Sequence, residues 1–129
     1  MIGYVTLGSN DLPQARAFYD ALLAEIGATK LMELPTGFTL YGKGPGKPGL
    51  ALVRPYDGRE ASPGNGTMVA IAVRERAQVD ALHARALELG ATDEGQPGLR
   101  VEEGPNAFYG AYFRDLDGNK LCFFRTGPA

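Results

Sequence analysis

The side chains that most often carry chemistry are scarce in this sequence, which holds one cysteine, Cys122, and one histidine, His83. A single cysteine excludes an internal disulfide and suits a reducing compartment. Basic runs are also missing. With 13 Lys and Arg against 15 Asp and Glu, the formal charge is −2, so no positive field is available for nucleic acid or an anionic membrane surface. No apolar stretch is long enough to span a bilayer, and Met1-Ile2-Gly3-Tyr4 runs into a strand-like segment with no basic or apolar leader pattern before it. The cytoplasm is the expected location. What remains is 129 residues, 44% hydrophobic and 22% charged, the profile of one soluble globular domain with enough chain to bury a core.

The segment with the strongest pattern is residues 108–124. Two aromatic and apolar runs flank Asp115-Leu116-Asp117-Gly118-Asn119, whose short polar side chains and glycine suit a tight reversal between antiparallel strands. Upstream, residues 2–8 read as a strand. Asn10-Asp11 offers an N-cap, with Pro13 in the first turn and Gln14 in capping-box position. Ala15, Phe18, Tyr19, Leu22, Leu23 and Ile26 recur at helical spacing up to Gly27. Residues 29–34, 37–41 and 50–54 then read as three strands, which completes a β-α-β-β-β order.

After the glycine- and proline-containing connection 56–66, the order starts again. Residues 67–73 read as a strand, 76–89 as a helix stopped by Gly90, and 99–101 as a weak strand before the hairpin. At an offset of 64, Ala15, Phe18, Leu22 and Leu23 fall on Val79, Leu82, Ala86 and Leu87, which suggests an internal repeat. The expected fold is therefore α+β: a single domain, 1–129, of two βαβββ modules (1–55 and 67–127), their mixed sheets curving around a central cleft. Alternation along each strand puts Val5 and Leu7, and Val69, Ile71 and Val73, beneath the helices. Tyr4 and Thr6, Met68 and Ala70, and Cys122 and Phe124 then face the cleft.

Tyr4-Val5-Thr6-Leu7, Ala17-Phe18-Tyr19, Gly64-Asn65-Gly66-Thr67 and residues 115–121 occur in an order that resembles the glyoxalase/bleomycin-resistance/extradiol-dioxygenase superfamily, the vicinal oxygen chelate proteins. The resemblance implies four ligand positions on the first and last strands of the modules, where metal-dependent members carry His, Glu or Gln. Here those places fall on Tyr4, Leu52 (with Leu50 as the same-face alternative), Met68 and Cys122. None is an imidazole or a carboxylate, and a hard or borderline divalent ion needs such donors. His83 falls in the middle of the second helix, which predicts a flank position between the packed face and solvent.

Other signals carry less. Asp115-Leu116-Asp117-Gly118-Asn119 has a calcium-like opening, but Lys120 and Thr126 stand where that loop needs glycine and glutamate. The glycine-rich segment 42–49 lacks a phosphate loop's ending. Arg54 either meets an anionic ligand group, with Tyr41 and Tyr112 as neighbours, or lies exposed at a rim; the residues leave both open. Cys122 reads as a small buried hydrophobe rather than a nucleophile, since no cation is expected beside it.

The expectation is a metal-independent, cofactor-free member whose cleft, lined by Tyr4, Thr6, Leu52, Arg54, Met68, Tyr112 and Cys122, binds a small, partly apolar organic molecule. Sequestration of a toxic compound, in the manner of the bleomycin-resistance branch, is what the resemblance implies for such a cleft. The alternative is a glyoxalase-like lyase or dioxygenase-like enzyme with ligands from other positions. No nucleic-acid or membrane partner is expected, and symmetric dimers are common enough to expect a homodimer.

Overall fold

A computed structural model describes residues 1–129. The elements run β1 (Tyr4–Gly8), α1 (Leu12–Ala24), β2 (Thr29–Glu33), β3 (Thr39–Gly42), β4 (Gly49–Val53), β5 (Val69–Ala72), α2 (Arg76–Glu88), β6 (Thr92–Leu99), β7 (Phe108–Arg114) and β8 (Lys120–Thr126). They build two compact units, Met1–Pro63 and Gly64–Ala129. Each is a βαβββ module with one four-stranded mixed sheet, in the orders β1-β4-β3-β2 and β5-β8-β7-β6. In both, the first strand pairs in parallel with the last and the other pairs are antiparallel.

Local chemistry explains the helix limits. Asp11 caps α1, its carboxylate accepting from the Gln14 N–H at 3.1 Å, and Pro13 stands in the first turn, where no N–H is needed. At the start of α2 the Gln78 side-chain oxygen accepts from the N–H groups of Arg74 and Glu75. Both helices stop in the same way. Gly27 and Gly90 take positive φ (77° and 108°), and the following N–H groups reach back to Leu23 and Ala86, each at 3.0 Å.

In the first unit, Leu12, Ala15, Phe18, Tyr19, Leu22 and Leu23 are buried on α1. Arg16 donates to Thr39 Oγ1 at 2.9 Å, and the Tyr41 hydroxyl donates to Asp20 at 2.7 Å, so β3 is bonded to the helix by its inward side chains. Burial, then the neighbouring Asp20, raises the Tyr41 pKa. In the second unit Val79, Leu82, His83 and Ala86 of α2 are buried, as are Ala111, Phe113, Leu121 and Phe123 of β7 and β8. The rings of Phe113 and Phe123 stack at 5.6 Å. Burying such side chains contributes about 1.5–3 kcal/mol each.

The turn 115–119 is held by Asp115. Its Oδ1 accepts from the N–H groups of Asp117 and Asn119, both at 2.9 Å, its Oδ2 accepts from the Asn119 amide, and Gly118 has φ 85°. The acidic spacing is thus spent on backbone donors.

Two expectations are corrected here. The weak strand 99–101 is in fact β6, eight residues long, and only Leu99 belongs to it. Its Gly95, Pro97 and Gly98 hide it from a propensity reading, and register shifts at 93/95 and 95/98 let an edge strand accommodate them. His83 does not flank the helix. It is 2% exposed, and its Nε2 lies 3.0 Å from Asp93 Oδ1 and 3.2 Å from the Tyr112 carbonyl oxygen, joining α2 to β6 and β7.

Candidate functional site

Each sheet has a helix-covered face and an open one, and strand register decides which residues occupy the open one. In the first unit Val5 and Leu7 pair with Leu50 and Leu52, which in turn pair with Tyr41 and Thr39. All six belong to the face beneath α1. The open face carries Tyr4 and Thr6, with Ala51 and Leu40 beside Thr6. Tyr4 is 56% exposed, and its ring meets Phe38 edge-on at 5.7 Å. Met32, paired with Leu40, extends the apolar surface to β2.

In the second unit Cys122 stands between Ala70 and Tyr112, and Phe124 stands between Ala72 and Gly110. Met68 precedes β5 in phase with Ala70 and Ala72, all three exposed. The rings of Phe108 and Phe124 stack at 5.1 Å with planes 8° apart, and Gly110 between strands gives them room, since a Cβ there would lie 2.8 Å from Phe108 Cε1. Arg100 and Lys120 both lie over the Tyr112 ring, at 5.1 Å and 5.6 Å from its centroid. The cations were not foreseen. Lys120 was readable from its phase with Cys122 and Phe124, whereas Arg100 follows the irregular β6 and gave no signal.

The residues expected in one cleft are therefore placed differently from one another. Met68, Tyr112 and Cys122 share the open face of the second sheet, and Tyr4 and Thr6 share that of the first. Leu52 is a correction: 1% exposed and paired with Leu7, it packs under α1, as does the alternative Leu50. The open-face residue of β4 beside Thr6 is Ala51. Tyr41, bonded to Asp20, is likewise turned away from Arg54. Arg54 lies past the end of β4, where it lines a 240 Å³ hollow with Ser9, Asn10, Pro55, Gly58, Arg59 and Glu60. The Asn10 amide donates to the Ala61 carbonyl and its oxygen accepts from the Ala61 N–H, which ties the connection down beside that hollow.

The donor chemistry of these faces does not fit a divalent metal. The positions offer phenol, methyl, thioether and thiol, and nowhere do three or more His, Cys, Asp or Glu side chains converge as a metal centre needs. Burial pushes the Cys122 thiol pKa up, which disfavours the thiolate that a metal or an electrophile would require. Burial, and after it Cys122, raises the Tyr112 phenol as well. Apolar and aromatic side chains dominate these faces, with a few polar groups at the margin.

A family model described as a glyoxalase-like domain matches residues 4–124. A glyoxalase/bleomycin resistance protein from Albidiferax ferrireducens T118 is 34% identical in sequence, with a TM-score of 0.85 over 97% of this chain and 98% of that one. Two more distant structures share the fold. A lactoylglutathione lyase from Agrobacterium tumefaciens is 23% identical with a TM-score of 0.68, covering 97% of this chain and 92% of the other. A glyoxalase-related enzyme from Fulvimarina pelagi is 21% identical with a TM-score of 0.72, covering 97% and 87%. No curated protein matches the chain. The two βαβββ modules, their parallel first-to-last strand pairing and these matches identify the chain as a member of the glyoxalase-like family, within the glyoxalase/bleomycin-resistance/dioxygenase superfamily.

Proposed function

We propose that the protein binds a small, partly apolar organic molecule on the open face of its second sheet, without a metal ion, and sequesters it rather than transforming it. The observation that carries this reading is the side-chain set at Met68, Phe108, Tyr112 and Phe124, over the buried Cys122. Apolar and aromatic groups share one face there, and neither an imidazole nor an activated thiol stands among them. Methionine and aromatic rings adapt to varied guests, while a reaction needs a polarising or proton-transferring group. No helix is long and apolar enough to cross a membrane. We place the protein in the cytoplasm, acting as a homodimer, and sedimentation at twice the 13.7 kDa chain mass checks the latter.

Elemental analysis of protein purified without chelator should find no stoichiometric nickel, zinc, manganese or iron. Near-stoichiometric metal would replace this reading with that of a metal-dependent lyase or dioxygenase. With metal absent, a library of small aromatic compounds should contain members that raise the melting temperature. A ligand at 100 times its Kd adds about 2.7 kcal/mol to native-state stability.

A further inference from the structure

The two cations on the open face of the second sheet lie over one aromatic ring and form no ion pair within the chain. Arg100 follows β6, and its N–H donates to the Phe108 carbonyl at 2.8 Å, which fixes its backbone beside β7. Its side chain then doubles back. Nη1 donates to the Gly98 carbonyl at 2.9 Å and Nη2 to the Gln96 carbonyl at 2.6 Å, leaving the guanidinium over Tyr112. The strand is cut away to seat it. A Cβ at Gly95 would lie 2.9 Å from Tyr112 Cδ2 and 3.2 Å from Arg100 Nη2, and one at Gly98 would lie 3.3 Å from Arg100 Nη1.

A guanidinium has five N–H donors, and two of Arg100's are occupied, so three remain. The Lys120 ammonium has three donors and bonds to nothing in the chain beyond its position over the same ring. Of the β6 carboxylates, Glu94 is bonded to Arg114, and Asp93 to His83, Gln96 and the Gly95 N–H. Both cations lie over the Tyr112 ring and keep free donors, so an oxyanion seated beside that ring has charged N–H groups to accept from. Satisfying the carbonyls left open by the β6 register shifts would account for Arg100 alone. It does not account for Lys120.

We infer that this face takes a carboxylate, received by Arg100 and Lys120, on a molecule whose flat apolar body lies toward Phe108 and Phe124. The inference rests on the binding reading above and narrows its ligand class to aromatic or conjugated acids. A planar carboxylate matches the guanidinium fork, and one charge on an otherwise apolar body matches the stacked phenylalanines beside it.

Calorimetric titration of the full chain with cinnamate and 2-naphthoate, each against its methyl ester, tests the inference at about 0.1 M salt, where screening is moderate. Each acid should bind about tenfold more tightly than its ester, as expected for charge-assisted hydrogen bonds. Lys120→Gln and Arg100→Gln should each remove most of that difference. Lys120→Gln breaks no hydrogen bond or ion pair within the chain, so it carries the test if Arg100→Gln fails to fold. Equal binding of acid and ester, or acid binding undiminished in Lys120→Gln, overturns the carboxylate assignment and leaves the binding reading standing. Tighter binding of phenylphosphonate than of either acid also overturns it, in favour of a phosphate-bearing ligand. If no acid or ester binds up to its solubility limit, both readings fall.

Discussion

Replacing His83 with alanine asks whether the only imidazole of the chain is a fastening or a reagent. The ring is 2% exposed and lies among Val79, Leu82 and Ala86 on the buried side of α2. Emptying it leaves a ring-sized hole, for which core truncations suggest a cost on the order of 2–4 kcal/mol. The Tyr112 carbonyl loses a donor as well. Asp93 is not stranded, because the Gly95 N–H at 3.0 Å and the Gln96 amide at 2.9 Å still reach it. Urea unfolding followed by circular dichroism should therefore move to a midpoint about 1–2 M lower, given slopes of about 1–3 kcal/mol/M for chains of this size. The same contact fixes a pH signature. Backbone donation from Gly95, then Gln96 and His83, lowers the Asp93 pKa. A depressed carboxylate stabilises the fold above its unfolded pKa, near 3.9, and that contribution is lost as pH falls through the lower native value. The midpoint difference between the wild type and Asp93→Asn should accordingly be full at pH 6 and shrink below about pH 4. A His83→Ala midpoint within about 0.3 M of the wild type would refute the fastening, because a buried ring cannot be removed at so small a cost.

Leu52→Ala should lose about 2–5 kcal/mol of stability, as expected of a leucine buried beneath a helix, and should leave ligand affinity unchanged; thermal and calorimetric titrations check both. The neighbouring open-face change Thr6→Ala should alter stability by no more than about 0.5 kcal/mol. Asp115→Ala removes the acceptor for two turn N–H groups and should destabilise by on the order of 2 kcal/mol in urea, with no response of the wild-type protein to added calcium. Cys122, 0% exposed and with its thiol pKa raised by burial, should react with a thiol-specific disulfide reagent about a hundredfold more slowly in native protein than in urea.

Much of this architecture is written in the alternation of side chains. In β7 the buried residues Ala111 and Phe113 interleave with the open-face residues Tyr112 and Arg114, so the strand and its faces were legible. The β4 strand was different. Leu50, Ala51 and Leu52 are all apolar and all buried, which leaves a period-two pattern without a phase, and only pairing with Leu7 shows which way Leu52 points. The burial of His83 had a trace in the sequence. It completes the spacing Val79, Leu82, His83, Ala86, and its counterpart at an offset of 64, Tyr19, is 1% exposed. The seat of Arg100 had none, because it depends on where two glycines in an irregular edge strand leave room. Faces set by local alternation can be read from a chain, and contacts made by doubling back cannot.

The first-to-last pairing also has a consequence for how the molecule is made. In each module the strand synthesised last, β4 or β8, is inserted between neighbours that already exist. A ribosome releasing the chain N-terminus first finishes the first sheet once residue 53 has emerged, but β5 and β7 have nothing to join them until β8 appears at residues 120–126. Throughout that interval β5 lacks its only strand partner, which leaves an unpaired edge of the kind by which nascent chains stick to one another. Slowing translation just before residue 120 should therefore harm the yield of folded protein more than the same pause placed after residue 53.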